Sequence, residues 1–166
     1  MKKHKKQNKK RGFSLIELLI VVAIILIIAA IAIPNLLRSR IAANEASAVG
    51  SLRTLNTAEI TYNTTYPNVG FACTLSALGG SGSGTATSTA AGLIDANLAS
   101  GVKSGYNFSF LSTGGCTGTP APAYATYAAP VTAGTTGQRY FCSDSSGVIQ
   151  YNTGAITTCG TSTNPI

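Results

Sequence analysis

Two periodicities divide the chain. Positions 13–33, "FSLIELLIVVAIILIIAAIAI", are apolar on every face, interrupted by one charge, Glu17, and one serine, Ser14. After Pro34 the pattern changes. Leu37, Ile41, Ala48, Leu52, Leu55 and Tyr62 recur at three-, four- and seven-residue steps, while Arg38, Arg40, Asn44, Glu45, Arg53 and Asn56 fill other faces. That spacing predicts an amphipathic helix with one packing stripe. The helix should end near 63–65, because Pro67 pushes Tyr66 out of the helical region. It would then run for about 50 residues, roughly 75 Å at 1.5 Å per residue. Gly50 is a weak point in it, costing about 1 kcal/mol against alanine. Pro34 is the one interior breaker, and the helix is expected to kink or open near the turn before it.

A helix of that length needs a cover for its second half, and the rest of the chain supplies strand patterns. "YNFSFLS" (106–112) alternates aromatic or leucine with small polar residues. "AYATYAAPV" (123–131) and "QRYFC" (138–142) are further strands, and "GVIQYN" (147–152) pairs with the last across the turn "SDSSG". Three or four antiparallel strands packed on the polar half of the helix are expected, an α+β architecture. "GGSGSGTATSTAAG" (79–92) is small, polar and breaker-rich, hence a flexible loop. "STGGCTGTPAPA" (112–123) is a loop that Cys116 is placed to pin.

Charge sharpens the division. The net charge of +7 looks like a nucleic-acid signal until it is located. Lys2, Lys3, Lys5, Lys6, Lys9, Lys10 and Arg11 supply seven of the twelve basic residues; from Phe13 onward five basic residues balance five acidic ones. The body is formally neutral, so no nucleic-acid contact is expected. A basic run ahead of an apolar run is a topology signal that keeps the positive end in the cytoplasm. The 21 apolar-rich residues at 13–33 match the roughly 20 that a membrane span needs. They are too many for the 7–15-residue apolar core of an ordinary signal peptide. A carboxylate in such a span is expensive and is read as functional.

Cys73, Cys116, Cys142 and Cys159 all lie beyond the span, on the side away from the basic leader. That side is expected to be oxidising, so two disulfides are the reading, with three connectivities open. Metal ligation lacks histidine partners. Asp144 in "SDSSG" fits a plain turn better than a calcium site, since calcium asks for six to eight oxygens and carboxylates are sparse beyond Tyr62. Neither metal nor cofactor is expected. Catalysis is poorly supplied: the one histidine, His4, sits in the leader, and "GGSGSG" lacks the lysine of a phosphate loop. The tyrosines and phenylalanines from Tyr62 to Tyr151 are most simply core and sheet residues.

The order of features is specific: a basic leader ending in Gly12, then Phe13, Glu17 inside an apolar helix, then Pro34. "RGFSLIELLIVVAIILIIAAIAIPNLLRSR" resembles the start of type IV pilins and of the related pseudopilins of type II secretion. The motif match covers about the first fifth of the chain. The later stretches "SGYNFSFLS" and "YFCSDSSGVIQY" look like the sheet of such subunits in layout only. The resemblance implies that a membrane-bound prepilin peptidase cuts between Gly12 and Phe13 and that the new terminus at Phe13 is N-methylated. It implies that Glu17 pairs with the freed amine of Phe13 on a neighbouring subunit, and that Pro34 marks a helix break that loosens on filament packing. It favours the disulfides Cys73–Cys116 and Cys142–Cys159, the second closing a loop of 16 residues; the main alternative joins Cys73 to the C-terminal end.

The expected organisation is a cationic leader (1–12), a membrane and assembly helix (13–34), an amphipathic second half (35–65) and a globular sheet domain (66–166). The implied function is a structural, non-enzymatic subunit of a type IV pilus, serving adhesion, motility or DNA uptake. The alternatives are a pseudopilin of type II secretion or a minor pilin. The implied partners are further copies of the chain in a helical polymer, the peptidase, and an inner-membrane platform with its ATPase. The subunit would sit in the inner membrane with a cytoplasmic N-terminus, then move to an extracellular pilus or periplasmic pseudopilus.

Overall fold

The computed structural model describes residues 12–80, 84–112, 115–160 and 163–166. The cationic leader up to Arg11, with His4, lies outside the described residues, as do short pieces of the two expected loops (81–83 and 113–114). The chain divides into two compact units, Met1–Arg38 and Ser39–Ile166. Helix α1, Leu15–Thr65, contributes to both.

In the first unit α1 is apolar all round. An 18-residue window reaches a mean hydropathy of 3.3, none of it buried, and the helix is long and apolar enough to cross a membrane. Pro34 lies inside α1, which stays helical on both sides of it. The helix is therefore not interrupted at Pro34. Proline removes one N–H, here the donor to the Ala30 carbonyl, and the neighbouring turns keep their own bonds. Leu37, assigned to the packing stripe by periodicity, is exposed.

In the second unit α1 keeps its helical form through a threonine-rich stretch that favours strand by propensity. Thr54, Thr57, Thr61, Thr64 and Thr65 each fold their hydroxyl back onto the carbonyl four residues earlier, at 2.8–3.1 Å. The opposite face carries Ala48, Leu52, Leu55, Ala58 and Tyr62 into a core completed by Leu78, Leu98, Tyr106, Phe108, Phe141 and Ile149. Glu45 and Asn56, which periodicity placed on other faces, are buried as well. They are buried because they satisfy backbone and side-chain groups of the sheet and its loops, as described below.

The sheet is an antiparallel meander of six strands in sequential order. These are β1 (Val102–Lys103), β2 (Tyr106–Phe110), β3 (Ala125–Pro130), β4 (Tyr140–Asp144), β5 (Ile149–Asn152) and β6 (Asn164–Pro165). Register sets Phe108 opposite Ala128, Ala128 opposite Phe141 and Phe141 opposite Tyr151, so one face carries the core. The expected four central strands are present; β1 and β6, two residues each, extend the sheet beyond the expected three or four. Proline in β6 and Lys103 in β1 blunt the two edges. The β4–β5 turn closes through the Gly147 N–H to the Asp144 carbonyl at 2.9 Å, with Gly147 at φ +74°. Two four-residue helices, α2 (Leu75–Leu78) and α3 (Ala96–Ala99), are capped by Thr74 and Asp95. The stretch 79–92, expected as a flexible loop, is tied down in its described part. The Tyr62 hydroxyl donates to the Ser88 carbonyl, and Thr87 pairs with Ala90.

Candidate functional site

The sequence-marked residues sit at the start of α1. Gly12 and Phe13 are non-helical and exposed, and Ser14 follows them before the first helical residue, Leu15. The Ser14 carbonyl accepts from the Leu18 N–H, while the Ser14 N–H donates to Glu17 Oε2 at 2.8 Å. Ser14 is thus the N-cap, and Glu17, three residues on, reaches back to its amide, as in a capping box. A carboxylate at this position also faces the positive end of the helix dipole. The sequence reading gave Glu17 a partner outside the chain and missed this local one, although "SLIE" carries the S-x-x-E signal. An added methyl at Gly12 would meet no atom of the described residues within 4 Å. Phe13 is 83% exposed.

Beyond the first unit, polar side chains of α1 reach the loops and strands of the second. Glu45 Oε1 accepts from the Gln138 and Arg139 N–H groups at 2.9 and 3.1 Å, and Glu45 Oε2 meets the Arg139 guanidinium at 2.7 Å. Burial pushes this carboxyl up, but the two amides and the guanidinium outweigh it and hold it below its ordinary value. Arg139 lies over the rings of Phe141 and Tyr151, 5.3 Å from each centroid. Asn56 donates to Ser143 Oγ and the Gly147 carbonyl and accepts from the Tyr124 hydroxyl. Glu59 accepts from the Ala72 N–H.

The cysteines form Cys73–Cys116 and Cys142–Cys159, with Cα–Cα separations of 5.5 and 5.9 Å. Asp144 is occupied by its own turn, accepting from the Ser146 N–H at 2.9 Å and from the Ser146 hydroxyl. Among the described residues no group of three or more histidine, cysteine or acidic side chains is placed to hold a metal.

The family described as the prokaryotic N-terminal methylation motif matches residues 7–33, the segment that holds Gly12, Phe13 and Glu17. The chain is similar to type IV pilins over that N-terminal segment. It is 51% identical over 51 residues to the type IV major pilin protein PilA of Myxococcus xanthus. That match takes in 31% of this chain and 23% of that protein's length. No solved structure shows significant similarity to the chain. The long apolar helix and antiparallel sheet are the pilin layout, and the motif falls on the only part of the helix that is apolar on all sides.

Proposed function

We propose that the chain is a structural subunit of a type IV pilus, cut by prepilin peptidase between Gly12 and Phe13, N-methylated at Phe13, and polymerised through α1. The observation that carries this reading is the exposed apolar helix that begins two residues past the exposed Gly12–Phe13 pair and carries one carboxylate, Glu17, in its first turn. Such a surface is stable only in lipid or against other helices. Among the described residues no atom crowds Gly12, and a glycine there suits a peptidase that threads extended backbone. The Myxococcus relative, named a major pilin, supports the pilus over other assemblies.

Glu17 lies about 6 Å inside the apolar run at 1.5 Å per residue. In the free subunit its charge is served by one amide. In a polymer, the amine of Phe13 on a neighbouring subunit would add a charge-assisted bond. Pro34 leaves one carbonyl unserved and is the place where α1 would loosen as subunits leave the bilayer. Before assembly the subunit would be anchored in the inner membrane, with the platform and ATPase of the family as partners.

Intact-mass spectrometry of filaments sheared from cells tests the reading. The expected species begins at a methylated Phe13 and is lighter by four protons for two disulfides. A processed chain that stays with the envelope would instead favour a pseudopilin or minor pilin. A chain that retains Gly12 in cells with active peptidase would end the proposal.

A further inference from the structure

Glu59 is the one carboxyl among the described residues with no exposure at all. It sits on the core face of α1, between Leu55 and Tyr62. Its Oε2 accepts from the Ala72 N–H at 2.8 Å, and its Oε1 is buried with no hydrogen-bond partner among the described residues. The titratable groups around it are Tyr62 on α1 and Tyr124 just before β3; both feel its charge. On the side of the 70–73 arm the neighbouring thiols are locked in the Cys73–Cys116 disulfide. The two ion pairs among the described residues, Arg139–Glu45 and Lys103–Asp95, belong to other carboxyls.

An ionised carboxylate asks for several donors, and here it would have one. A neutral carboxyl leaves a single O–H unpaired, a much smaller cost than an unpaired buried charge. Burial accordingly pushes the Glu59 carboxyl up to about 8, against the opposing Ala72 hydrogen bond.

What Glu59 holds is a joint. The arm at 70–73 leaves α1 and runs beside 121: the Phe71 N–H donates to the Ala121 carbonyl, and the Ala121 N–H to the Val69 carbonyl. The Phe71 ring packs on Tyr124 at 5.0 Å, and Cys73 ties the arm to Cys116.

We propose that Glu59 is a proton-operated latch: protonated, it holds the 70–73 arm to α1 through the Ala72 N–H, and on ionisation it admits water and frees the arm. Release passes through Ala121 and the disulfide to the loop around Cys116, so the outer loops of the domain loosen as the surroundings become alkaline. The latch closes on the acid side, because the closed state binds the proton more tightly than the open one.

Native-state amide hydrogen exchange on the full chain in detergent micelles, from pH 5 to 9 and corrected for intrinsic rates, tests this. Protection of the Ala72 amide should fall about tenfold per pH unit from roughly 5 to 8, then level off. At pH 8 it should lie at least about a hundredfold below that of the Leu52 amide, since a latch opens without unfolding the core. In Glu59→Gln the pH slope should vanish. A flat profile in the wild type overturns the latch, and so does equal protection at Ala72 and Leu52. Should Glu59→Gln fail to fold, the carboxyl carbon shift of wild-type Glu59 decides: a midpoint above 7 supports the latch, and one near 4 ends it.

Discussion

The two halves of α1 are continuous in backbone and opposite in the solvent they require. From Leu15 to Arg38 the apolar side chains point in all directions and none is buried. From Ser39 to Thr65 most of them occupy one stripe, with Ile60 left exposed, and Leu52 and Leu55 are fully buried in the domain core. Polar residues differ in the same way. The first half carries one charge within its apolar run, Glu17, which caps the helix start. The second half places Glu45, Asn56 and Glu59 inward, each bonded to a loop or strand. Hydrophobic content therefore does not say what a helix packs on; the angular spread of that content does.

Leu55→Ala breaks the comparison from the domain side. It should cost about 2–5 kcal/mol as a buried leucine truncation, lowering the Tm of the full chain in detergent by roughly 10 °C, with membrane insertion unchanged. Ile24→Asp attacks the other side. A carboxylate at mid-span costs about 3 kcal/mol of insertion. Membrane fractionation should then show a soluble or degraded chain, while the domain's melting temperature stays put. Equal loss of Tm in both variants would mean the halves are not energetically separate.

The sequence made this division readable because period and charge change together around Pro34. The central strands were legible for the same reason: "YNFSF" alternates, and its period of two survives as the register Phe108–Ala128–Phe141. Strands β1 and β6 were not, since two residues cannot display a period. Strand β4 begins at Tyr140 rather than Gln138 because the amides of Gln138 and Arg139 are taken by Glu45. That contact joins positions 93 and 94 apart in sequence, and no local pattern announces it. Glu17's bond to Ser14 was local and visible in four letters, yet the strong pull of a partner charge hid it.

The two inward glutamates of the second half sharpen the comparison through opposite pH limbs. Glu45 is held below its ordinary value, so its contribution is present above about pH 4.3, the unfolded value, and lost as pH falls through the folded one. Glu59 is raised to about 8, so its contribution is complete below about 4.3 and lost as pH rises to 8. In that upper window unfolding releases a proton, and stability should fall by about 1.4 kcal/mol per pH unit. Urea denaturation from pH 3 to 9 should place the wild-type maximum in mild acid. Glu59→Gln should flatten the alkaline limb, and Glu45→Gln the acid one. A wild-type maximum above pH 8 would contradict the Glu59 assignment, and an acid limb unchanged in Glu45→Gln would contradict that of Glu45.

The smallest expected effect separates side chain from backbone at the start of α1. Glu17 takes the Ser14 amide, and the serine hydroxyl has no hydrogen bond among the described residues. Ser14→Ala should therefore leave the cap intact and change helix stability by less than about 0.5 kcal/mol, below the usual cost of losing an N-cap side chain. Filament yield on sheared cells should match wild type. Glu17→Ala removes the carboxylate that serves this amide and, under the assembly reading, the partner of the Phe13 amine. It should insert normally and give no filaments. If Ser14→Ala lowers yield as far as Glu17→Ala does, the hydroxyl is working in the assembled state, and the local cap no longer accounts for why serine stands beside Phe13.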